Sequence, residues 1–369
     1  MNYLVAILGL AVLMIVLESG HYFAARAFGM RVLKFSIGFG PAFFRVEPHA
    51  GYWTLTFFGD RARIRLRPHD PERHGPTVFQ VAAIPFLAYV QIAGMNPMEE
   101  VDPRDKGAYP NASLWGRIVT IFAGPLANYL FASVFFFIPL YADGKMEPGD
   151  PTEIAVSAGM TAEAAGLKNG DRILAIDGKK VATFEEMAAQ IVASADKAVS
   201  FELLRDGQPT EITITPTYRD ECKKVCIGVT PNLHKVDASF SESAAIALKT
   251  PPKVVKSVLT SLAQLVQGKG DDKLGGPAGM VKEMKKVADR GWADFLGALG
   301  YLSTMLAAFN MLPVPALDGG RLMFLGYEAA TRRRANPTVE AHIHAIGLVM
   351  MLGLMIYVTF ANDLGFASK

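Results

Sequence analysis

YLVAILGLAVLMIVLESGHYFAA, residues 3–25, is the stretch of sequence that decides the fold. It is long and apolar enough to cross a bilayer as a helix, which takes roughly 20 residues. Glu18 and His21 are the two ionisable side chains that interrupt it. The alternative is a secretory signal peptide, but no Lys or Arg precedes the apolar run and no clear small-residue cleavage site follows it. The sequence therefore predicts a first transmembrane helix over residues 3–25.

Three further apolar stretches predict transmembrane helices, over residues 118–142, 295–317 and 343–361. The first two of these hold no charged residue, and the second stops at Asp318. The whole chain of 369 residues is 51% hydrophobic, which is more apolar than most soluble enzymes. The prediction is a polytopic α-helical membrane protein with four transmembrane helices.

Lys and Arg near the helix ends predict how the helices are oriented, because cytoplasmic loops are enriched in these residues. Basic residues follow the first span, from Arg26 to Arg67, and the third, from Arg321 to Arg334. Both segments are therefore predicted to be cytoplasmic, and the amino terminus, the long loop between spans two and three, and the carboxyl terminus lie outside. The net charge of +2 gives no bulk basic field for nucleic acid.

Residues 31–95 have strand character instead of helical periodicity. Aromatic and branched residues dominate 32–44 and 52–66, and Arg61, Arg63 and Arg65 alternate with apolar residues. Residues 84–95, IPFLAYVQIAGM, form another apolar run that is too short to span as a helix. Backbone at membrane depth must be hydrogen-bonded, so these strands are predicted to pair into a membrane-associated sheet.

The segment between the second and third spans is predicted to be soluble. Residues 146–216 combine strands at 172–176, 199–204 and 211–215 with helices at 162–166 and 184–195, which indicates a compact β-rich domain. Residues 217–294 are predicted to connect this domain to the third span through amphipathic helices, with Pro251-Pro252 breaking one of them. Cys222 and Cys226 lie in this region, and a local disulfide and two free thiols are both open.

Three ionisable residues at predicted membrane depth are candidates for chemistry. Glu18 and His21 are three residues apart and so share one helix face. Asp318 follows Pro313 and Pro315, which unwind the helix end, and precedes two glycines. A helix–helix hydrogen bond and an ordinary helix cap are the structural alternatives. Intramembrane carboxylates are costly, so we favour a functional site.

Zinc proteases usually carry two imidazoles one helical turn apart, in His-Glu-x-x-His, with the glutamate as general base. This chain has Leu17-Glu18-Ser19-Gly20-His21 instead, so the first imidazole is absent.

A series of motifs in order then extends over nearly the whole chain. Glu-x-x-His leads to FSIGFGP at 35–41, AGPLAN at 123–128, AGLKNGDRI at 165–173, GGPAG at 275–279 and NMLPVPALDGGR at 310–321. This series resembles the bacterial site-2 proteases, zinc enzymes of regulated intramembrane proteolysis of the type that cleaves anti-sigma factors. The AGLKNGDRI segment looks like a PDZ domain, so the resemblance implies one β-rich PDZ domain inserted between spans two and three.

The resemblance implies roles for particular residues. His21, Asp318 and a histidine at position 17 would hold Zn2+, Glu18 would activate water, and Asn310 would support the substrate backbone or the oxyanion. The strand region at 84–95 would present an edge to the substrate, through Ile84, Tyr89, Val90 and Gln91. The expected partners are the lipid bilayer and single-span membrane proteins already cut by another protease. The expected location is the bacterial inner membrane, with the PDZ domain on the periplasmic side.

Leu17 changes what the chain itself is expected to do. Leucine has no lone pair to give a metal, so peptide cleavage is predicted to be absent or strongly reduced. A natural pseudoprotease, an engineered inactive variant and a sequence error are the three explanations. The alternative function is a membrane-embedded PDZ protein that binds clients without cutting them. A transporter using Glu18 and Asp318 is disfavoured, because no internal repeat is detectable.

Overall fold

A computed structural model of the chain describes residues 3–64, 76–84, 88–96, 98–219, 222, 224–268 and 276–360. The chain forms two compact units. The first, here called the helical unit, comprises residues 1–142 and 240–369, and the second, the inserted unit, comprises residues 143–239.

The helices in the described part of the chain are α1 Tyr3–Ala27, α2 Leu114–Ala142, α3 Thr161–Ala164, α4 Phe184–Ala193, α5 Phe240–Val266, α6 Pro277–Arg290, α7 Trp292–Asn310, α8 Asp318–Thr331 and α9 Pro337–Val358. Of these, α1, α2, α7 and α9 are long and apolar enough to cross a membrane. They coincide with the four predicted spans. Each of these helices corresponds to a run of sequence with few or no charged residues. A helix that is apolar on every side has no polar face to expose to water.

The ends of two spans differ from the prediction. The third predicted span, 295–317, is helical only to Asn310, because Pro313 lacks a backbone donor and the chain turns there instead. The fourth, predicted at 343–361, begins earlier, at Pro337. Asn336 caps it by accepting a hydrogen bond from the Thr338 N–H at 2.9 Å, a start signal that hydropathy does not register.

The helix α5 also differs, because Pro251-Pro252 does not break it. The two prolines lie inside the helix, which packs against α2 and α7. Tertiary packing thus outweighs the loss of two backbone donors. At its start, the ring of Phe240 lies against the rings of Phe137 and Tyr141 on α2, with centroids 5.1 and 5.9 Å apart.

The region between α1 and α2 forms a six-stranded sheet, in agreement with its predicted strand character. Its strands are β1 Val32–Ile37, β2 Phe39–His49, β3 Tyr52–Phe57, β4 Asp60–Ile64, β5 Val78–Ile84 and β6 Tyr89–Ile92. The order across the sheet is β4-β3-β2-β5-β1-β6, so β4 and β6 are the edge strands. The β1–β5 pairing is parallel and the other pairings are antiparallel. Arg65 and Arg67, predicted to continue the alternation of β4, lie outside the described residues.

The sheet is held against the end of α1 by an apolar cluster. Tyr22 of α1 packs edge-on against Phe35 of β1 and Phe79 of β5, with ring centroids 5.7 and 5.8 Å apart. Ala25 of α1 and Ile92 of β6 are buried in the same region. This contact fixes β6 beside the half of α1 that carries Glu18 and His21.

The inserted unit has its own hydrophobic core, centred on buried Phe201, Ile173 and Met187. Its strands are β7 Lys145–Pro148, β8 Ile154–Val156, β9 Arg172–Ile176, β10 Lys179–Lys180, β11 Val199–Arg205, β12 Gln208–Ile214, β13 Thr217–Arg219, β14 Lys224–Cys226, β15 Val229–Pro231 and β16 Leu233–Val236. The sheet β10-β9-β11-β12 is accompanied by the pairs β13-β14, β15-β8 and β16-β7.

The inserted unit extends beyond the range 146–216 that the sequence suggested. Residues 217–239, assigned to the connecting region, belong to it because β15 and β16 pair with β8 and β7 at its beginning. The sequence signal is weak here since these strands are only three or four residues long. Cys222 and Cys226 form a disulfide, which decides between the two open alternatives.

Candidate active site

The site begins with two side chains on one face of α1 and one at the start of α8. His21 and Asp318 meet there, with Nε2 and Oδ2 3.3 Å apart. Both side chains are largely buried, at 10% and 18% exposure. Glu18, one turn earlier on α1, lies within electrostatic reach of both. The fold thus brings together three of the predicted site residues from opposite ends of the chain.

Helix α2 fixes the orientation of the His21 ring. Nδ1 of His21 lies 2.8 Å from the backbone oxygen of Thr120. A carbonyl oxygen only accepts, so Nδ1 carries the proton and Nε2 is the nitrogen that faces Asp318. Histidines that bind metals usually make this kind of contact to a backbone carbonyl with their other ring nitrogen.

Two glycines make the crossing of α1 and α2 close enough for this contact. A Cβ atom at Gly124 would lie 2.2 Å from His21 Nε2, and one at Gly20 would lie 2.2 Å from the Ala123 backbone oxygen. Each glycine therefore removes a steric clash that would separate the two helices. Gly124 belongs to the AGPLAN motif. The imidazole of His21 occupies the space that a side chain at Gly124 would need.

The loop before Asp318 is short and tightly folded. It begins after Asn310, the last residue of α7, and Val314 N–H donates to the Leu312 oxygen at 2.7 Å. Ala316 has φ of +73°, a left-handed conformation that costs energy for a residue with a Cβ. Its N–H donates to Nδ1 of His344 on α9 at 3.0 Å, which holds the loop in that conformation.

Helix α8, which starts at Asp318, is held to α2 by a buried ion pair. Arg117 donates to both carboxylate oxygens of Glu328, at 2.8 and 2.6 Å. Arg334 lies 3.4 Å from the same carboxylate. The Arg117 guanidinium holds the pKa of the Glu328 carboxyl below its usual range. This pair fixes the axis of the helix whose first residue faces His21.

Strand β6 places backbone groups beside Glu18. The backbone N–H of Val90 lies close to the Glu18 carboxyl group. On its other side β6 pairs with β1, through Tyr89 with Ser36 and Gln91 with Lys34. Because β6 is an edge strand, its second edge is free of sheet partners among the described strands. Ile84 is not on this strand: it ends β5 and pairs with Phe39.

The residues at this site do not complete a zinc centre. His21 and Asp318 converge as two ligands would, but Leu17, one turn before His21, is buried at 6% exposure and has no donor atom. No group of three or more His, Cys, Asp and Glu side chains that could hold a metal occurs among the described residues. A catalytic zinc needs three protein ligands, so the donor set is one short.

Sequence reasoning missed several groups that hold the site. Thr120 acts through its backbone oxygen, which no residue pattern reveals. His344 was overlooked as an ordinary residue of the fourth span. A polar side chain in an apolar helix, three residues before Gly347, is the signal that could have found it.

Comparison with known proteins places this geometry in a family. The profile of peptidase family M50 matches residues 5–74 and 70–354. A Mesorhizobium japonicum protein named "putative zinc metalloprotease" is 31% identical over 379 residues, which are 96% of this chain and 96% of the relative. The chain belongs to peptidase family M50. The resemblance to site-2 proteases that the motifs carry is thereby confirmed.

Other relatives of this M50 protein carry the same kind of name. A Rhizobium meliloti protein is 29% identical, with 96% of this chain and 94% of the relative covered, and one from Fusobacterium nucleatum is 27% identical, with 98% of each covered. Both are named "putative zinc metalloprotease". Among solved structures, the PDZ domain of an SdrC-like protein from Listeria monocytogenes matches 23% of this chain and 90% of its own length, at 22% identity and a TM-score of 0.21.

Proposed function

We propose that this protein is, by the design of its site, an intramembrane zinc protease of the M50 family that acts on transmembrane segments of membrane proteins, and that its own peptide hydrolysis is absent or strongly reduced because Leu17 replaces the first zinc ligand. The observation that carries the proposal is Leu17. It lies, buried, at the position from which a second imidazole would join His21 and Asp318. The rest of the site is retained, but the set of zinc ligands lacks one residue.

The proposed binding element is the free edge of β6. An extended segment can add to an edge strand through backbone hydrogen bonds, which any sequence supplies. Val90 shows how near β6 lies to the reactive groups, because its backbone N–H is close to the Glu18 carboxyl group. A segment bound along β6 would run past Glu18, and Asn310 at the end of α7 would support its backbone.

Further parts of the proposal concern the setting. The four apolar helices favour a multi-pass protein of the bacterial inner membrane, with the inserted unit on the periplasmic side. The disulfide in that unit suits an oxidising compartment. We propose that the inserted unit acts as a PDZ domain that screens substrates. The substrate class would be single-span proteins cut first by another protease, as in regulated intramembrane proteolysis of anti-sigma factors.

The test is the Leu17→His variant beside the unchanged chain. Zinc per chain and cleavage of a single-span test substrate are measured for both after purification in detergent. We expect the unchanged chain to hold little zinc and to leave the substrate intact. The variant should hold about one zinc per chain and cleave. Leu17→Gln, which is polar but lacks an imidazole, is the matched control and should behave like the unchanged chain.

A non-catalytic client-binding protein is the second candidate, and the same apolar Leu17 favours it. The two are separated by the histidine variant. If Leu17→His folds, judged by unfolding at the same temperature as the parent, and still neither holds zinc nor cleaves, the protein is a binder. Stoichiometric zinc and cleavage by the unchanged chain would contradict both candidates.

A further inference from the structure

A cleft of about 510 Å³ opens between α8 and α9, and neither His21 nor Asp318 lines it. Its lining includes Pro313, Pro315 and Gly320, which belong to the turn before α8 and to its first residues. The volume lies in the range of sites that hold small organic ligands. Nothing in the proposed chemistry at Glu18 uses this cleft.

The walls of the cleft are apolar and its polar groups are confined to one segment. The apolar side chains from the two helices are Met323, Phe324, Tyr327, Val339 and Ile343. Arg334 and Asn336, from the connection between α8 and α9, also line it, and no carboxylate is among the lining residues. An apolar cavity with a cationic end is complementary to an amphiphile that carries a negative charge.

The cationic end is reinforced by neighbouring residues. Arg332, Arg333 and Arg334 are consecutive and exposed, and Arg332 ends α8 in a left-handed conformation. Arg334 is already held in place, by the Pro110 oxygen at 2.6 Å and by Glu328 at 3.4 Å. A guanidinium fixed by two partners loses little further entropy when it binds an anion.

The part of α9 that follows the cleft is apolar and exposed. Val349, Met350 and Leu354 of α9 are exposed at 69%, 70% and 55%, and α9 is the candidate span with the smallest buried share. Basic pockets between transmembrane helices on the cytoplasmic side are suited to anionic headgroups, and the anionic lipids are concentrated in that leaflet. The arginine run lies on the side that the distribution of Lys and Arg assigns to the cytoplasm.

We propose that this cleft binds one anionic phospholipid, with its phosphate at Arg334 and the Asn336 amide and an acyl chain between Phe324 and Ile343. The inference rests on the proposed membrane location of the chain. The bound lipid would border Pro313 and Pro315, two residues of the turn that leads to Asp318. Lipid occupancy would therefore stabilise the turn that positions one of the groups facing His21.

Native mass spectrometry of the full chain in detergent, mixed with phosphatidylglycerol or phosphatidylcholine, tests the proposal. We expect one phosphatidylglycerol to be retained per chain and phosphatidylcholine to be retained at least fivefold less. Val339→Trp fills the cleft and should abolish this retention. Val349→Trp adds the same side chain on the exposed side of α9 and should leave retention unchanged.

A second pair of variants tests the headgroup contact. Arg334→Gln should remove most of the preference for phosphatidylglycerol, while Arg333→Gln, next to it but not lining the cleft, should remove little. Equal effects of the two would indicate diffuse attraction to anionic lipid and overturn the site. Thermal unfolding of each variant shows whether it is folded. If Arg334→Gln is not, Asn336→Ser serves instead, because it removes the amide proposed to hold the phosphate while keeping an oxygen that can cap α9, and it should lower the preference for phosphatidylglycerol.

The outcomes separate this inference from the proposed function. If the chain fails to enter lipid vesicles in a flotation assay, the membrane location itself is wrong. If it enters them but retains no phosphatidylglycerol, or retains it equally in Val339→Trp, only the lipid site is wrong. If Val339→Trp changes the oligomeric state instead of lipid retention, the cleft is an interface between copies of this chain, and the proposal fails.

Discussion

Position 17 shows how much of the chemistry of this site depends on one side chain. Leu17 and His21 are separated by one helical turn and so lie on the same face of α1. Around them, His21 keeps its hydrogen bond to the Thr120 backbone and its contact with Asp318. A buried leucine contributes to packing but offers a metal nothing. The replacement therefore removes a ligand while leaving the surrounding contacts in place.

Gly124 is the residue that we expect to tolerate substitution least. A Cβ atom there would lie 2.2 Å from Nε2 and 2.4 Å from Cε1 of the His21 ring, which is fixed on its other side by Thr120. Gly124→Ala should therefore destabilise the helical unit by about 1–3 kcal/mol, the usual cost of overpacking. Thermal unfolding in detergent should show a midpoint lower by several degrees.

Gly297 of α7 provides the matched control for that prediction. No atom lies within 4 Å of a Cβ built there, so Gly297→Ala should leave the midpoint unchanged or raise it slightly. The double variant Leu17→His with Gly124→Ala gives a second readout. Because the alanine should displace the His21 imidazole, the double variant should hold less zinc than Leu17→His alone. Equal stability of the two alanine variants would show that His21 is not confined by α2.

At the scale of elements, the sequence predicted some features well and others not at all. The four long helices follow from charge-free runs, and the strand at Arg172–Ile176 lies where the pattern placed it. The order of the six-stranded sheet was not predictable, because its parallel pair joins Lys34 to Val78 across two intervening hairpins. The turn to Asp318 was predicted to unwind at its prolines, but its link to His344 depends on packing that no local pattern records.

The edge strand β6 carries a prediction of its own. Val90→Pro removes a backbone N–H of β6, the edge strand to which a client would add, at the point nearest Glu18. Losing one such hydrogen bond is worth about 1 kcal/mol, or roughly fivefold in affinity. We expect photo-crosslinking of the chain to a single-span test substrate to fall accordingly in membranes.

The opposite edge of the same sheet supplies the comparison. Ala62→Pro places the same residue in β4, which is the other edge strand and is separated from β6 by four strands. This variant should retain crosslinking. Equal losses in both variants would mean that proline disturbs the sheet as a whole, and undiminished crosslinking in Val90→Pro would show that clients do not use β6.

The helical unit as a whole depends on contacts between segments far apart in the chain. His21 meets Asp318, and Arg117 meets Glu328, so α8 is fixed at its first residue and again near its last turn. The Arg117 side chain is only 6% exposed, and the Glu328 side chain 17%. A buried ion pair adds little stability compared with an apolar pair of similar volume. Removing one partner is nevertheless costly, because the other charge is then buried without compensation.

This ion pair leads to a prediction about acid stability. Arg117 lowers the pKa of Glu328 in the folded protein, while the unfolded chain has the ordinary value of about 4.3. A carboxyl whose pKa is lowered by folding stabilises the fold above the unfolded value, and this contribution is lost as the pH falls through the folded value. At pH 7, Glu328→Gln should therefore destabilise the helical unit by about 3 kcal/mol. The difference from the unchanged chain should begin to shrink as the pH falls below the unfolded value of about 4.3, and it should disappear only below the lowered folded pKa, where the native carboxyl is protonated too.

Glu283 of α6 is the acid to compare with it, since its partner Lys286 is three residues away and both side chains are exposed, at 66% and 56%. Such a pair is screened by solvent, so Glu283→Gln should leave the unfolding midpoint unchanged at either pH. Thermal unfolding of both variants at pH 7 and at a pH well below 4, followed by circular dichroism, gives the comparison. If Glu328→Gln unfolds like Glu283→Gln at pH 7, the Arg117 contact does not hold α8 in place. The position of Asp318 would then depend on its own turn, through Ala316 and His344, rather than on the anchoring of the helix behind it.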